Sequence, residues 1–327
     1  MGEFELLAKV RERLPPPGPR VWVGSGDDAA VTIPGGATAT SVDAVVEGVH
    51  FRRDRGTLAQ IGRKALAAAL SDLAAMGAEP GEAYVALGVP ADLDQDGCLE
   101  LVDGIVAVAA ETGTTLAGGD VTRAPVLSLA VTVVGHAATA AQMVGRGGAE
   151  PGDVLVLTGE LGGAAAGLLL LESPQLAAAV AAETGQRLRL RQLDPTPRLA
   201  AGRALARAGA RAMIDLSDGL GGDAGHLAEA SGAALRIDAG SLPLARGVAE
   251  LAAAVGRQPL DLATSSGEDY ELLAALPPER LSEAVTEIGA AAETTLTQIG
   301  AVVAGGGVEI RLPGGEILAP VGFDQLG

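Results

Sequence analysis

The sequence predicts an α+β protein of two domains, and three observations carry that expectation. Its 327 residues, 48% apolar and only 20% charged, are enough for two buried cores and exclude wholesale disorder. Strand-like and helix-like segments follow one another in mixed order. The segment "GRGGAEPGD", rich in Gly with one Pro, reads as the crossing between domains. The expected division is an N-terminal domain over 1–138, a linker over 139–152 and a C-terminal domain over 153–327.

Each element has a local reason. Val21 to Val31 and Ala37 to Val46 are expected to be strands because their residues alternate and include many β-branched side chains, with "PGG" as the turn between them. Thr57 is placed to cap a helix over "TLAQIGRKALAAALSDLAAMGAEP", with Gly77 and Pro80 as stop signals. "EAYVALGVP" is strand-like, and "DGCLELVDGIVAVAAETG" carries the apolar stripe of a helix ending at Gly113. "TTLAGGD" and "VLSLAVTVVGHA" complete the first domain. In the second, "VLVLTG" is a strand, "RAMIDLSDGLGGDAGHLAEASG" reads as strand, tight turn and helix, and "GEDYELLAAL" as a turn feeding a strand. There is no repeat of 20 to 50 residues.

Composition narrows the function classes. Lys and Arg number 23 against 41 Asp and Glu, so the net charge is 23 − 41 = −18, and no basic run marks a nucleic-acid footprint. A phosphate partner is therefore expected to need a metal. Cys98 is the one cysteine and cannot form an internal disulfide; the N-terminal "MGEFELLAKV" lacks the features of a secretory signal. "LGGAAAGLLLL" falls short of the roughly 20 residues of a membrane span. These features predict a cytoplasmic protein with neither membrane nor nucleic acid as partner.

Two motifs mislead. "VGSGDDAAV" fits a dinucleotide fingerprint, yet "VTIPGG" follows where a helix should start, and Asp27 and Asp28 would repel a pyrophosphate by about 4 kcal/mol per charge pair at 4 Å. Asp92 to Gly97 imitates half a calcium loop, but a strand ending in Pro90 precedes it, and acids at a helix start are explained by the helix dipole. No P-loop is present. What remains is a set of acids: Asp27 and Asp28, Asp43, Asp72, Asp120, Asp215 and Asp218. Singly, each reads as a cap, a turn or a solvated position. Together, and with Asp72 in Ala/Leu/Met surroundings expected to be buried, they point to hard oxygen ligation of Mg²⁺. "VLTGELGGAAAGL" adds a Gly-rich turn into a helix, a shape suited to phosphate, and Arg146 offers a phosphate fork or a structural contact.

The stretches "GSGDDAAV", "SVDAVVEGVHF", "KALAAALSDLAAMGAEP", "GGDVTRAP", "RGGAEPGDVLVLTG", "IDLSDGL" and "SGEDYELL" together resemble the thiamine-monophosphate kinase family of the aminoimidazole-ribonucleotide-synthetase-like (PurM-like) superfamily. The matches run in the family's order from Phe4 to Phe323. The resemblance implies a two-domain PurM-like architecture and a homodimer in which N-terminal strands build a shared barrel. It implies ATP and several Mg²⁺ ions held in a cleft between the domains. By similarity, Asp28, Asp43, Asp72, Asp120, Asp215 and Asp218 hold metal, with Ser41 and Val42 contributing oxygen atoms. Gly119, Asp120, Arg146 and Ser217 would meet ATP, and His50, Glu268 and Phe323 the thiamine monophosphate. Ala69, Ser266 and the C-terminal "GFDQLG" depart from the family's usual residues.

The implied reaction is in-line transfer of the ATP γ-phosphoryl group to a phosphate whose oxygen is already anionic, so no general base is expected. The rivals are superfamily relatives acting on purine intermediates, on selenide or in hydrogenase maturation, and a non-catalytic Mg²⁺/nucleotide- or calcium-binding protein. The selenide and maturation chemistries would want a reactive thiol, and Cys98 lies mid-chain at a helix start.

Overall fold

The computed structural model describes residues 3–25, 29–291 and 294–322. They divide into one unit of Met1–Leu73 with Ala78–Ala140 and a second of Ala74–Gly77 with Ala141–Gly327.

In the first unit, α1 (Glu3–Arg13) is followed by the short antiparallel pair β1 (Val21–Val23) and β2 (Val31–Thr32). The strand expected over Val21 to Val31 is thus broken: its ends pair with each other, Val21 with Thr32 and Val23 with Val31. Then come β3 (Ala37–Val46), α2 (Leu58–Ala75), β4 (Glu79–Val89), α3 (Gln95–Thr112), β5 (Thr115–Arg123) and β6 (Ser128–Ala137). The α2 start is set by a reciprocal cap, Gln60 N–H donating to Thr57 Oγ1 at 3.1 Å and Thr57 N–H to Gln60 Oε1 at 3.0 Å. Asp94 caps α3 by accepting from Gly97 N–H at 2.9 Å, which absorbs part of the calcium-like motif, and Asp92 pairs with Arg53.

The four strands lie in the order β3-β6-β4-β5, with β4 and β5 parallel and the other pairs antiparallel. One face is covered and one open. Leu129, Val131 and Val133 of β6 and Ala83, Val85 and Leu87 of β4 are buried, as period-2 alternation requires, whereas Val42 of β3 on the other face is 64% exposed. A buried pair, His136 Nε2 and Glu82 Oε2 at 2.8 Å, ties β6 to β4.

The second unit contains β7 (Val154–Thr158), α4 (Gly163–Glu172), α5 (Ala182–Leu193), α6 (Leu199–Arg207), β8 (Ala212–Asp215), α7 (Leu220–Ser231), β9 (Ala234–Asp238), α8 (Val248–Ala254), α9 (Pro259–Thr264), β10 (Leu272–Leu276), α10 (Leu281–Ala291), β11 (Leu296–Val303), β12 (Gly307–Arg311) and β13 (Ile317–Leu318). Its seven strands run β13-β12-β9-β11-β7-β10-β8, and β9 with β12 is the parallel pair. Leu155, Leu157, Leu235, Ile237 and Leu273 from the sheet cluster with Leu220 and Leu227 of α7. Among the described residues, no helix is long and apolar enough to cross a membrane.

Candidate active site

In the first unit Ser41, Val42, Asp43, Asp72, Gly119 and Asp120 sit on regular elements. Ser41, Val42 and Asp43 occupy the middle of β3, and register places Asp43 opposite Val131, Val131 opposite Val85 and Val85 opposite Gly119. Asp43 therefore shares the covered face with Val131 and Val85. Ser41, two residues earlier on that face, donates its hydroxyl to Asp72 Oδ2 on α2. Asp72 is only half-buried, contrary to the expectation of burial: its helix neighbours Leu70, Ser71 and Leu73 are sealed, but its own side chain turns toward the edge strand β3.

Asp120 lies on β5, exposed, on the sheet edge opposite β3. The preceding Gly119 has a structural reason to be glycine, because a Cβ there would stand 2.2 Å from the Val85 carbonyl oxygen. His50 follows β3; its Nδ1 accepts from Val46 N–H at 3.1 Å, so the neutral ring carries its proton on Nε2. Lys64, buried on α2, donates to the His50 carbonyl at 3.5 Å.

In the second unit the predicted residues lie on two loops that are zipped together. Leu216 N–H donates to the Glu271 carbonyl at 2.8 Å, Tyr270 N–H to the Leu216 carbonyl at 2.9 Å, and Glu268 N–H to the Ser217 carbonyl at 2.9 Å. The approach is so close that a Cβ at Gly267 would lie 1.9 Å from Ser217 O. Asp215, Ser217, Asp218 and Glu268 are thereby brought together. Glu268 and Tyr270 pay for this with left-handed backbone, φ 72° and 50°.

Carboxylates that the sequence reading did not single out complete the arrangement. Asp223, in the first turn of α7 and 2% exposed, accepts from Asp218 N–H at 3.1 Å. Burial, then the charges of Asp215 and Asp218, push its carboxyl up to about 8. Asp269 accepts from Gly162 N–H at 2.7 Å and Ala164 N–H at 3.1 Å. It thus occupies the start of α4, where "VLTGELGGAAAGL" suggested a phosphate; the protein's own carboxylate fills that role. Burial raises its pKa to about 6, against the pull of Arg191 and the two N–H donors. Glu271 is fully buried and clamped by Arg198 at 2.7 and 2.6 Å, by Arg191 at 3.2 Å and by the Thr158 hydroxyl at 2.8 Å. The available signal was position: Asp223 sits one turn beyond "LSDG", and Asp269 and Glu271 flank Tyr270 within "SGEDYELL".

Arg146 is exposed, with its carbonyl held by Ser231 Oγ at 3.1 Å and no ion pair for its guanidinium among the described residues. Asp28 and Phe323, expected at the metal and substrate, lie outside the described residues. Among the described residues, no three His, Cys, Asp or Glu side chains are already arranged around a metal position.

Comparison with known proteins follows the same division. Residues 26–137 match the N-terminal domain of AIR synthase related proteins and residues 150–313 their C-terminal domain, which gives the class of this fold. A thiamine-monophosphate kinase of Mycobacterium tuberculosis is 39% identical over 277 residues, covering 84% of this chain and 80% of the relative. The crystal structure of thiamine-monophosphate kinase from Stenotrophomonas maltophilia K279a superposes with a TM-score of 0.82 at 36% identity, over 96% of each chain. A structure of AaThiL complexed with AMPPCP and TMP gives a TM-score of 0.77 at 30% identity, over 87% of this chain and 86% of that one. The chain belongs to the thiamine-monophosphate kinase family.

Proposed function

We propose that this chain transfers the γ-phosphoryl group of ATP to the phosphate of thiamine monophosphate, giving thiamine diphosphate and ADP. The observation that carries the reading is the zipped loop pair that sets Asp215, Ser217 and Asp218 beside Glu268, in a chain of this family. The relative bound to AMPPCP, an ATP analogue, and to TMP supports the same substrate pair.

The donor set fits Mg²⁺. Its side chains are hard oxygens without Cys or His, and burial with neighbouring carboxylates pushes Asp223 up, as expected where a cation is to be received. Asp28, Asp43, Asp72, Asp120, Asp215 and Asp218 are assigned as ligands, with oxygen atoms of Ser41 and Val42. When bound, Mg²⁺ neutralises phosphate charge and draws donor and acceptor together. Ser41 orients Asp72 through its hydroxyl. Gly119, Asp120, Arg146 and Ser217 are assigned to ATP, Arg146 as the charge that grips phosphate oxygens. His50 presents Nε2–H to the acceptor end, and Glu268 and Phe323 hold the thiamine moiety. A phosphate monoester is anionic at neutral pH, so attack needs positioning and no base.

A homodimer with a shared barrel belongs to the reading. Asp43 and Asp120 stand on opposite sheet edges, three interstrand steps or about 14 Å apart. Placing β3 of one copy beside β5 of a second would join the two exposed edges and continue one sheet into the other. A buried Cys98 thiol, raised by that burial, suits a cytoplasmic location.

The test is turnover. Purified protein with ATP and Mg²⁺ receives thiamine, thiamine monophosphate or aminoimidazole-pathway substrates, and products are separated by chromatography. Thiamine diphosphate formed from the monophosphate is expected. Efficient phosphorylation of free thiamine, which lacks the anionic oxygens, or turnover only with a purine intermediate, would overturn the reading.

A further inference from the structure

Glu268, assigned above to the substrate, sits in an acidic neighbourhood with Asp269 next in sequence and Asp218 beside its loop. Its Oε2 accepts a 2.5 Å hydrogen bond from Gln192 Nε2, 76 residues away on the last turn of α5. The partner is a carboxylate oxygen, so the amide must present its nitrogen. Gln192 is itself buried, and its place is fixed from behind: α5 lies so close to α4 that a Cβ on Gly167 would be 2.1 Å from Leu188 O and 3.1 Å from Gln192 Cβ. The adjacent Arg191 reaches the other end of the same loop, bonding Glu271 Oε1 at 3.2 Å and the Glu160 carbonyl at 2.5 Å. Two successive residues of one helix end thus grip the loop at Glu268 and at Glu271, about the left-handed residues Glu268 and Tyr270.

From this geometry we infer that Gln192 is a positioning residue for substrate recognition: it fixes the Glu268 carboxylate as an ordered acceptor for the amino group on the pyrimidine ring of the substrate. The inference rests on the assignment of Glu268 to the thiamine moiety. A glutamate side chain has three rotatable bonds, and one directed donor removes most of that freedom before binding. Carboxylates that are pre-oriented recognise a cation or N–H at lower entropic cost than mobile ones. Asp269 and Glu271 are bound to backbone and arginine donors within the fold, whereas Gln192 gives Glu268 a directed amide donor.

The experiment compares the intact protein with Gln192→Met, which keeps length and lacks the donor, Gln192→Glu, which sets a carboxylate against a carboxylate, Glu268→Gln and the double variant Gln192→Met/Glu268→Gln. KM for thiamine monophosphate, KM for ATP, kcat and melting temperature are read for each. Gln192→Met is expected to raise the thiamine monophosphate KM about tenfold, the size of a lost hydrogen bond to a charged group, with ATP KM within about twofold. Gln192→Glu should raise it further, and the double variant should be no worse than Glu268→Gln alone. If Glu268→Gln raises that KM while Gln192→Met folds and leaves it unchanged, or if the two effects multiply independently, the inference falls and the site assignment stands. If Glu268→Gln itself leaves the thiamine monophosphate KM unchanged, the assignment falls and takes the inference with it. Should Gln192→Met not fold, the Gln192→Glu profile decides by the same comparison.

Discussion

The two units hold their acidic side chains in different ways. In the first, Asp43 and Asp120 project from the edge strands of a four-stranded sheet, and Asp72 from a helix, half-buried, with a serine hydroxyl as partner. In the second, Asp223, Asp269 and Glu271 are buried and held by backbone N–H groups or paired arginines. An edge carboxylate is positioned by strand register and contributes little to the fold that positions it. A buried carboxylate that anchors a loop is part of the fold, and removing it leaves donors or charges without a partner. The first unit can therefore lose Asp43, Asp72 or Asp120 and keep its shape, whereas the second needs Asp223, Asp269 and Glu271 to have a shape.

The sharpest way to break that contrast lies in the first unit. Asp43→Asn and Asp72→Asn should each cost several kcal/mol of transition-state stabilisation, a loss of kcat on the order of 10³-fold, with melting and circular dichroism near those of the parent protein. Near-normal turnover at saturating Mg²⁺ in a folded variant would sink the metal assignment. A large fall in melting temperature would show that the edge acids are structural after all.

Glu271→Ala probes the other side. It strands Arg198 and Arg191 and the Thr158 hydroxyl inside the protein, so unfolding by denaturant should show a loss of about 3–5 kcal/mol. A change under about 1 kcal/mol, the scale of surface pairs, would remove the distinction between the units.

The finest test is pH. Asp269 has a folded pKa of about 6 against an unfolded value near 3.8, so between those values the folded state binds the extra proton and stability falls as pH rises. The protonated carboxyl's contribution is complete below about pH 4 and lost as pH rises through about 6. The stability of wild type minus that of Asp269→Asn should therefore be most favourable near pH 4 and decline across this window. A difference that stays flat or grows with pH would mean that Arg191 and the two N–H donors outweigh burial at Asp269.

Much of this was legible in the chain. Thr57 as a cap, Gly113 as a stop and the strand-turn-helix at 211–232 all depend on neighbours within a few residues, and all appear in the structure. The reading failed where a local pattern was answered from far away. The Gly-rich entry to α4 looks like an anion site and is one, but its anion is Asp269, 107 residues on. Asp72 looked buried because its helix neighbours are, yet the strand it meets is an edge strand.

By itself, then, the sequence determined the α+β class, most strands and helices and, through its quoted motifs, the family. Those properties follow from side-chain periodicity, caps and glycine positions, which act over one or two turns of chain. Only the tertiary structure decided that Asp43 and Asp120 stand on opposite edges of one sheet, that Ser41 meets Asp72, and that Gln192 closes on Glu268. The two contacts join residues 31 and 76 apart in the chain, and the two edges are set by strand order; no local rule carries information over such distances.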